Sequence, residues 1–291
     1  MSIPEDSGVE SPTDACDGLL EAIDVHRIFT SHHGRDTVTA LDGVSISICA
    51  GQRRALIGSS GSGKSTLLSL LLAAERPTRG TVRFQGEVIE PRKASRMRPF
   101  RRAVQFIPQD CAASLDPRMT IEELVTDPLR RLGIPGDHRH AALQALENVH
   151  LPSSLLGRKR AEISGGQAQR VAIARAVAIG PKILLADEPV SGLDLPLRDQ
   201  VLSLLRELSL EQHLGVLLVT HDLDAARALC HDAVVLDRGQ VADRGDIRDM
   251  MSDPQHPATS RLVHSMPRIP SELMEARLAH HADRTREGKF G

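Results

Sequence analysis

Apolar residues along the chain recur with the two spacings that are typical of strands and helices. Val44, Ile46 and Ile48 alternate with serines, and this period of two predicts a strand with one buried face. Further along, unbroken apolar runs alternate with helical patterns, and these runs cover residues 54–57, 183–187, 216–220 and 233–237. Because strands that are buried on both faces are typical of parallel sheets, the pattern predicts an α/β fold whose parallel sheet is covered on both sides.

The same patterns divide the chain into segments. Strand-like runs at 19–29 and 37–48 make the N-terminal part rich in strands, and Gln85-Gly86 predicts a hairpin. Helical patterns interrupted by prolines, without a clear strand, predict an inserted all-helical subdomain in the middle of the chain. The sequence thus predicts a disordered tail at residues 1–18 and an α/β core formed by residues 19–109 and 164–249. A helical subdomain at 110–163 divides this core, and a C-terminal extension follows at 250–291.

Charge and composition exclude several classes of protein. Thirty-six basic residues against 38 acidic ones leave a net charge of −2, which argues against a general nucleic-acid binder. The chain has no Trp, no Tyr and five Phe, so it lacks the aromatic surfaces of single-strand binders. No apolar stretch approaches the roughly 20 residues that a membrane helix needs, and the acidic N-terminus is unlike a signal peptide. We therefore expect an intracellular, soluble chain with no nucleic acid among its partners.

The four cysteines lie far apart and include no C-x-x-C pair. This spacing predicts neither a disulfide framework nor a thiolate metal site. Reduced thiols are the expectation for Cys16, Cys49, Cys111 and Cys230.

A glycine-rich segment follows the predicted strand at 54–57 and precedes a predicted helix. It fits the pattern G-x-x-x-x-G-K-[ST] of phosphate-binding loops. Glycines let backbone N–H groups approach phosphate oxygens, and the helix N-terminus adds a positive partial charge. We expect Lys64 to reach the β- and γ-phosphates and Ser65 to ligate Mg²⁺. The candidate nucleotide-binding residues are Gly58, Ser59, Ser60, Gly61, Ser62, Gly63, Lys64, Ser65 and Thr66.

Two adjacent carboxylates end the apolar strand at 183–187. Successive residues on a strand point in opposite directions, so Asp187 and Glu188 are expected to have different roles. We expect Asp187 to bind Mg²⁺ through its water shell. Glu188 is the candidate general base that polarises the water attacking the γ-phosphate, a role worth about 10²–10⁴ in rate. Up to this point the motifs fit any P-loop NTPase, including a kinase, a GTPase or a motor.

A second candidate anion site lies at residues 164–167, before another predicted helix. Ser164 is a natural N-cap, and Gly165 and Gly166 leave backbone N–H groups uncovered at the helix N-terminus. A second γ-phosphate site is useful if it serves the ATP of another subunit. We therefore expect two chains to enclose two nucleotides.

With these motifs the chain resembles the ATP-binding cassette (ABC) family from about residue 19 to residue 265. Residues Ser164, Gly165, Gly166 and Gln167 match its signature S-G-G-Q, although Ile163 stands where Leu is commoner. The resemblance implies that Gln109, after a predicted strand at 103–107, ligates Mg²⁺ and water and senses the membrane partner. It also implies that Asp194, in the segment S-G-L-D, contacts the opposite subunit, and that His221 contacts the γ-phosphate. A P-loop kinase or GTPase would lack S-G-G-Q.

The aromatic residue that the family stacks on the adenine ring is less clearly marked. The resemblance points to Phe29, because it lies in the first predicted strand and the chain has no Tyr or Trp. A core phenylalanine is the alternative, and His32 and His33 lie close by in the sequence.

Residues 108–120 and 187–195 resemble the oligopeptide, dipeptide and nickel importers of the family, as does the segment from Asp253 to Pro267, where Ala258 replaces the usual Tyr. This resemblance implies a second ATPase subunit, identical or different, two membrane permease subunits and, indirectly, a solute-binding protein, at the cytoplasmic face of the membrane. Some relatives hold an iron–sulfur cluster in the C-terminal arm, but no cysteine follows Cys230 and we expect none. The ATP-binding component of a soluble complex of the carbon–phosphorus lyase type is the alternative.

Overall fold

The structure is a computed structural model, and it describes residues 19–30 and 37–265. The predicted tail at 1–18, the histidines at 32 and 33, and the part of the predicted extension from 266 to 291 lie outside the described residues.

Ten strands and nine α-helices follow one another in these described ranges. The strands are β1 (Leu20–Thr30), β2 (Thr37–Ile48), β3 (Arg53–Ile57), β4 (Arg79–Phe84), β5 (Glu87–Val88), β6 (Val104–Ile107), β7 (Ile183–Asp187), β8 (Gly215–Thr220), β9 (Asp232–Asp237) and β10 (Gln240–Asp246). The helices are α1 (Lys64–Leu71), α2 (Ala94–Ala103), α3 (Ile121–Leu132), α4 (His138–Asn148), α5 (Gly165–Val177), α6 (Leu195–Glu211), α7 (Leu223–Leu229), α8 (Ile247–Ser252) and α9 (Pro257–His264). Two short 3₁₀ turns, Ser153–Leu155 and Arg160–Glu162, precede α5.

The N-terminal strands form an antiparallel sheet in the order β2-β1-β4-β5. Leu20 of β1 lies opposite Ile48 of β2 on one side and Phe84 of β4 on the other. The predicted hairpin between β4 and β5 is confirmed. Its turn residues Gln85 and Gly86 both have positive φ, at 52° and 79°, which is the backbone geometry of a two-residue hairpin turn.

The central sheet has the order β10-β9-β3-β8-β7-β6. Its neighbouring strands from β9 to β6 are parallel, as the apolar runs predicted, whereas β10 pairs antiparallel with β9. The apolar pattern did not predict β10, because this strand is largely polar and lies at the edge of the sheet.

Each face of the central sheet packs into its own core. In β3, Ala55 and Ile57 face α5, α6 and α7, and Leu56 faces the opposite way, toward α1 and the antiparallel sheet. Both faces are therefore covered, as predicted, but the second face is covered by a helix together with a sheet. This arrangement confirms an α/β core with a strand-rich N-terminal part.

The segment between β6 and β7 contributes no strand to either sheet. Its helix α3 begins with a reciprocal cap, in which the Thr120 hydroxyl accepts from the N–H of Glu123 and the Glu123 carboxylate accepts from the N–H of Thr120. Leu124 of α3 and Leu146 of α4 are buried in the same core as Val171 of α5. Helices α3 and α4 of the inserted segment thus pack against α5, the helix that follows them.

Residues after β10 continue to pack against the core. Helix α8 spans the predicted start of the C-terminal extension at residue 250, and Met250 is buried. Ala258 and Thr259 of α9 are also buried, and the Thr259 hydroxyl donates to the Asp243 carboxylate of β10. The polar composition of this segment concealed its contacts with the core.

The cysteines differ in their state. Cys111 and Cys230 are free, buried thiols, and burial raises the pKa of Cys111 to about 11. Cys49 takes part in a disulfide bond, so the expectation of reduced thiols is wrong at this position. The wide spacing of the cysteines contained no local signal for this bond.

Candidate active site

The glycine-rich loop joins β3 to α1, which is the strand–loop–helix context that its motif requires. Gly63 has φ 109°, and a Cβ atom there would lie 2.6 Å from the carbonyl oxygen of Ala40. A Cβ atom at Gly58 would lie 2.4 Å from the carbonyl oxygen of Leu236. Both positions therefore require glycine, because a side chain would collide with backbone atoms of neighbouring strands.

Lys64, the first residue of α1, folds back into the loop. Its Nζ donates to the carbonyl oxygens of Gly58, at 2.8 Å, and Ser59, at 2.9 Å. The residue is only 9% exposed, and burial lowers the pKa of its ammonium group, while the nearby Glu188 and Asp187 act in the opposite direction. The loop thus holds a largely desolvated positive charge opposite two carboxylates.

The remaining loop residues differ in exposure. Ser59, Ser60, Gly61 and Ser65 are exposed, Thr66 is partly buried, and the Oγ of the buried Ser62 has no hydrogen-bond partner among the described residues. A cavity of about 470 Å³ adjoins the loop, and its lining includes Arg238 and Arg261 in addition to Ser59–Ser62. No local pattern marks these two arginines, because Arg238 follows β9 and Arg261 lies in α9, both far from the loop in sequence.

Asp187 ends β7, and Glu188 follows it with a φ of 45°, in the left-handed region. The N–H of Glu188 donates to the carbonyl oxygen of Val219 in β8, at 2.8 Å, which holds this unusual backbone conformation. Burial and the adjacent Glu188 raise the pKa of the Asp187 carboxyl, and Lys64 opposes this shift. The two acids therefore occupy different environments, although Glu188 lies just beyond the strand and not on its opposite face.

Glu188 connects the ends of three neighbouring strands. Its Oε2 accepts a hydrogen bond from Nε2 of Gln109 at 3.1 Å, and its Oε1 lies 2.7 Å from Nδ1 of His221. The Glu188 side chain is 17% exposed and that of His221 is 61% exposed. The parallel strands β6, β7 and β8 bring their carboxyl ends to one edge of the sheet, so three residues that are far apart in sequence meet there.

The signature residues begin α5, at a separate place on the surface. The Ser164 hydroxyl accepts from the N–H of Gln167 at 3.2 Å, which confirms the predicted N-cap, and the Gln167 side chain accepts in return from the N–H of Ser164. Ser164 and Gly165 are exposed, and Gly166 and Gln167 are partly buried. Within the described residues no hydrogen bond joins this segment to the glycine-rich loop of the same chain.

Asp194 is the N-cap of α6, and its carboxylate accepts from the N–H of Leu197 at 3.0 Å. A cavity of about 180 Å³ lies beside this helix start, and its lining includes Glu188, His221, Ser191 and Arg198. No sequence motif marks Arg198, because Asp222, with which it forms an ion pair, is 24 positions away.

Phe29 is not a core phenylalanine, since it is 40% exposed on β1 opposite Val38 of β2. The guanidinium carbon of Arg27 lies 4.6 Å from the centre of its ring. Arg27 is also paired with Glu75 at 2.7 Å, which fixes the guanidinium over the ring. The ring is partly exposed and available for stacking, and no motif in the sequence marked Arg27 as its neighbour.

Within the part of the chain that the structure describes, no group of three or more His, Cys, Asp or Glu side chains could hold a metal ion. No helix in these same ranges is both long enough and apolar enough to cross a membrane.

The chain is similar to known proteins over most of its length. A family model described as ABC transporter matches residues 41–191. A protein of Brucella abortus whose name describes peptide import and ATP binding is 39% identical over 262 residues, which cover 88% of this chain and 78% of that protein. A similarly named protein of Brucella ovis is 40% identical over 233 residues, or 79% of this chain and 74% of that protein.

Solved structures of cassette proteins share the fold. The dimeric ATP-binding cassette MJ0796, in a post-hydrolysis state with ADP and Pi, is 31% identical, with a TM-score of 0.69 over 79% of this chain and 99% of that one. The cbiO1 protein of Clostridium perfringens, part of the ABC transporter complex cbiONQ, is 26% identical, with a TM-score of 0.73 over 89% of this chain and 99% of that one. The chain therefore belongs to the ABC transporter family, as one of its nucleotide-binding ATPase subunits.

Proposed function

We propose that this chain binds ATP with Mg²⁺ and hydrolyses it to drive the import of peptides through membrane permeases. The observation that carries the proposal is the position of Glu188, held by Gln109 and His221 at the end of β7, beside the loop that contains Lys64. A carboxylate at this edge, opposite a buried ammonium group, is suited to water activation next to a phosphate chain.

In the proposed reaction, backbone N–H groups of Gly58–Thr66 bind the β- and γ-phosphates, and Lys64 leaves its carbonyl partners to contact the same oxygens. Glu188 accepts a proton from the attacking water as the oxygen forms a bond to the γ-phosphorus. The bond between that phosphorus and the bridging oxygen breaks, and ADP and phosphate are the products. His221 moves from Glu188 to the γ-phosphate and orients it.

The residues proposed for Mg²⁺ fit that ion. Ser65, Gln109 and Asp187 supply a hydroxyl, an amide and a carboxylate oxygen, and Mg²⁺ prefers oxygen ligands and retains several waters. Bound there, the ion would neutralise charge on the β- and γ-phosphate oxygens. The raised pKa of Asp187 supports this assignment, because the buried carboxylate would gain from a nearby cation.

The signature segment supports the participation of a second cassette subunit, identical or different. Gly165 is exposed and Gly166 partly buried at the start of α5, and no hydrogen bond among the described residues joins them to the loop of their own chain, so their N–H groups are suited to the γ-phosphate of a partner's ATP. Asp194 lies at an exposed helix start, where it can contact that partner. We propose that ATP joins the two subunits and that hydrolysis releases them.

We propose that the segment following Gln109 docks on a permease, which keeps the chain at the cytoplasmic face of the membrane and indirectly in contact with a solute-binding protein. Ala113 is exposed there, and Ala112 and Met119 are partly buried. Leu115 belongs to the core and offers no docking surface. The names of the Brucella relatives favour peptides as cargo, whereas nickel has no such support. Neither relative bears a name that suggests a lyase complex, and we do not propose one.

The test is co-expression of this chain with the permease genes of its operon, purification from membranes and reconstitution in vesicles. We expect the chain to co-purify with two permeases and ATP to drive the uptake of labelled peptides. The matched complex with Glu188→Gln should assemble but import nothing. Peptide uptake by that variant at the parental rate, or purification of the chain with soluble enzymes in place of permeases, would contradict the proposal.

A further inference from the structure

An ion pair lies beside the catalytic edge of the sheet and is not part of any motif described above. Arg198 belongs to the first turn of α6, and Asp222 immediately follows His221. Nη1 of Arg198 lies 2.7 Å from Oδ2 of Asp222, and Nη2 donates to Oδ1 at 3.3 Å. Two nitrogens thus meet two carboxylate oxygens, a geometry that fixes orientation as well as distance.

Asp222 also fixes the backbone around it. Its carboxylate accepts from the N–H of Ala225 as the N-cap of α7, and its own N–H donates to the Thr220 hydroxyl, both at 3.0 Å. Because His221 stands between Thr220 and Asp222, the direction of its side chain depends on these contacts. Movement of Asp222 would therefore move the imidazole relative to Glu188.

The other end of the pair is equally well anchored. The N–H of Arg198 donates to the carbonyl oxygen of Asp194 at 2.9 Å, in the first hydrogen bond of α6. The Arg198 side chain is 14% exposed and that of Asp222 is 31% exposed, so solvent screens the pair in part. Arg198 and His221 both line the cavity of about 180 Å³ next to Glu188.

From these contacts we propose that Arg198 is a positioning residue for hydrolysis, which acts through Asp222 to hold His221 within reach of Glu188. The inference rests on the proposed function of Glu188 and His221. The ion pair would couple the start of α6, which includes Asp194, to the segment that carries His221, so that the two move together. A shift of Asp194 at a subunit contact is then transmitted to the imidazole.

The test compares Arg198→Ala and Arg198→Gln with the parent, in the complex assembled as described above. We expect Arg198→Ala to lower kcat roughly tenfold or more, since small displacements of catalytic groups have effects of this size. The KM for ATP should change less than twofold. Arg198→Gln keeps one donor for Asp222 and should recover part of the rate. The matched control is Arg227→Ala, which removes an exposed ion pair with Asp224 within α7 and should leave kcat unchanged.

The double variant Arg198→Ala/His221→Ala distinguishes a positioning role of Arg198 from a merely structural one. If Arg198 acts through His221, adding Arg198→Ala to His221→Ala should lower the single-turnover rate less than twofold. A full further loss in that background would overturn the inference, as would parental kcat in both Arg198 variants. Arg198→Gln keeps the test decisive if the alanine variant fails to fold. Parental turnover by Glu188→Gln would instead contradict the proposed function itself.

Discussion

Glu188 and His221 meet across the ends of adjacent parallel strands, with Oε1 of the carboxylate 2.7 Å from Nδ1 of the imidazole. Gln109 donates a hydrogen bond to the other oxygen of the Glu188 carboxylate. Two side chains thus hold the candidate base. In the proposed reaction Gln109 is required on Mg²⁺ and His221 on the γ-phosphate. Release of Glu188 on ATP binding would make its activity depend on the presence of the substrate.

Replacement of Glu188 by Gln should lower ATP turnover at least about 10²-fold, because the side-chain volume is kept and the base is removed. Binding of MgATP should remain close to parental, and a nucleotide-bound dimer should accumulate. Phosphate release and size-exclusion chromatography measure the two effects. Glu207→Gln is the matched control, since Glu207 also pairs with a histidine, His150, at 2.8 Å, but on the outer surface. Retention of more than half of the parental turnover by Glu188→Gln contradicts the assignment.

Lys64→Ala and Ser164→Arg should separate binding from dimerisation. Lys64→Ala removes the charge proposed for the β- and γ-phosphates, so the Kd for ATP should rise by at least about tenfold, as expected for losing a charged hydrogen bond. Ser164→Arg leaves the chain's own loop unchanged, so ATP binding should persist while the bulky side chain blocks ATP-driven dimerisation. Fluorescent nucleotide titration and light scattering distinguish the outcomes. Equal loss of binding in both variants would exclude a role for Ser164 at the partner's nucleotide.

Phe29→Ala should weaken ATP binding roughly tenfold, since stacking of a base on an aromatic ring is worth about 1–3 kcal/mol. Phe29→Tyr keeps the ring and should bind ATP as the parent does. Ile28→Ala is the matched control, because Ile28 immediately precedes Phe29 in β1 and is similarly exposed, but faces the other side of the sheet. An unchanged Kd in Phe29→Ala would place the adenine elsewhere.

Asp187→Asn should stabilise the chain in the absence of nucleotide while abolishing hydrolysis. Since burial raises the pKa of Asp187 above 3.8, its ionised form opposes folding. This cost is fully present above the folded-state pKa and disappears as the pH falls to about 3.8. The unfolding free energy should therefore be higher than that of the parent at pH 7, and the difference should shrink toward pH 4. Urea unfolding across this range measures it, and a gain that is independent of pH would exclude the titration of Asp187 as its cause.

Ala113→Glu should weaken association with the permease, because an unpaired charge in a buried contact costs several kcal/mol. ATP binding by the isolated subunit should change little, since no proposed nucleotide ligand is altered. Co-purification with the permease and nucleotide titration are the two measurements. Ala94→Glu, at another exposed alanine, is the matched control. Normal assembly of the Ala113 variant would mean that the docking surface lies elsewhere, and loss of ATP binding would indicate misfolding of the helical segment.

The sequence by itself determined those features that depend on residues close together in the chain. The loop at 58–66 requires glycine where neighbouring backbone approaches, and this requirement is visible in the spacing of its glycines. Ser164 and Gln167 form a reciprocal cap within one turn of helix, so the start of α5 could also be predicted. Buried parallel strands are apolar on both faces, and their pattern alone was sufficient to indicate the central sheet.

Only the tertiary structure decided which distant side chains meet. Glu188 contacts Gln109, 79 positions away, and His221, 33 positions away, because parallel strands place their carboxyl ends together. The same edge joins Arg198 to Asp222, a pair with no sequence signature. Burial of Leu115 was likewise hidden, since a lone apolar residue among prolines does not reveal which side it presents. Local spacing thus specifies the elements and their caps, whereas contacts between elements depend on sheet order, which only the folded chain establishes.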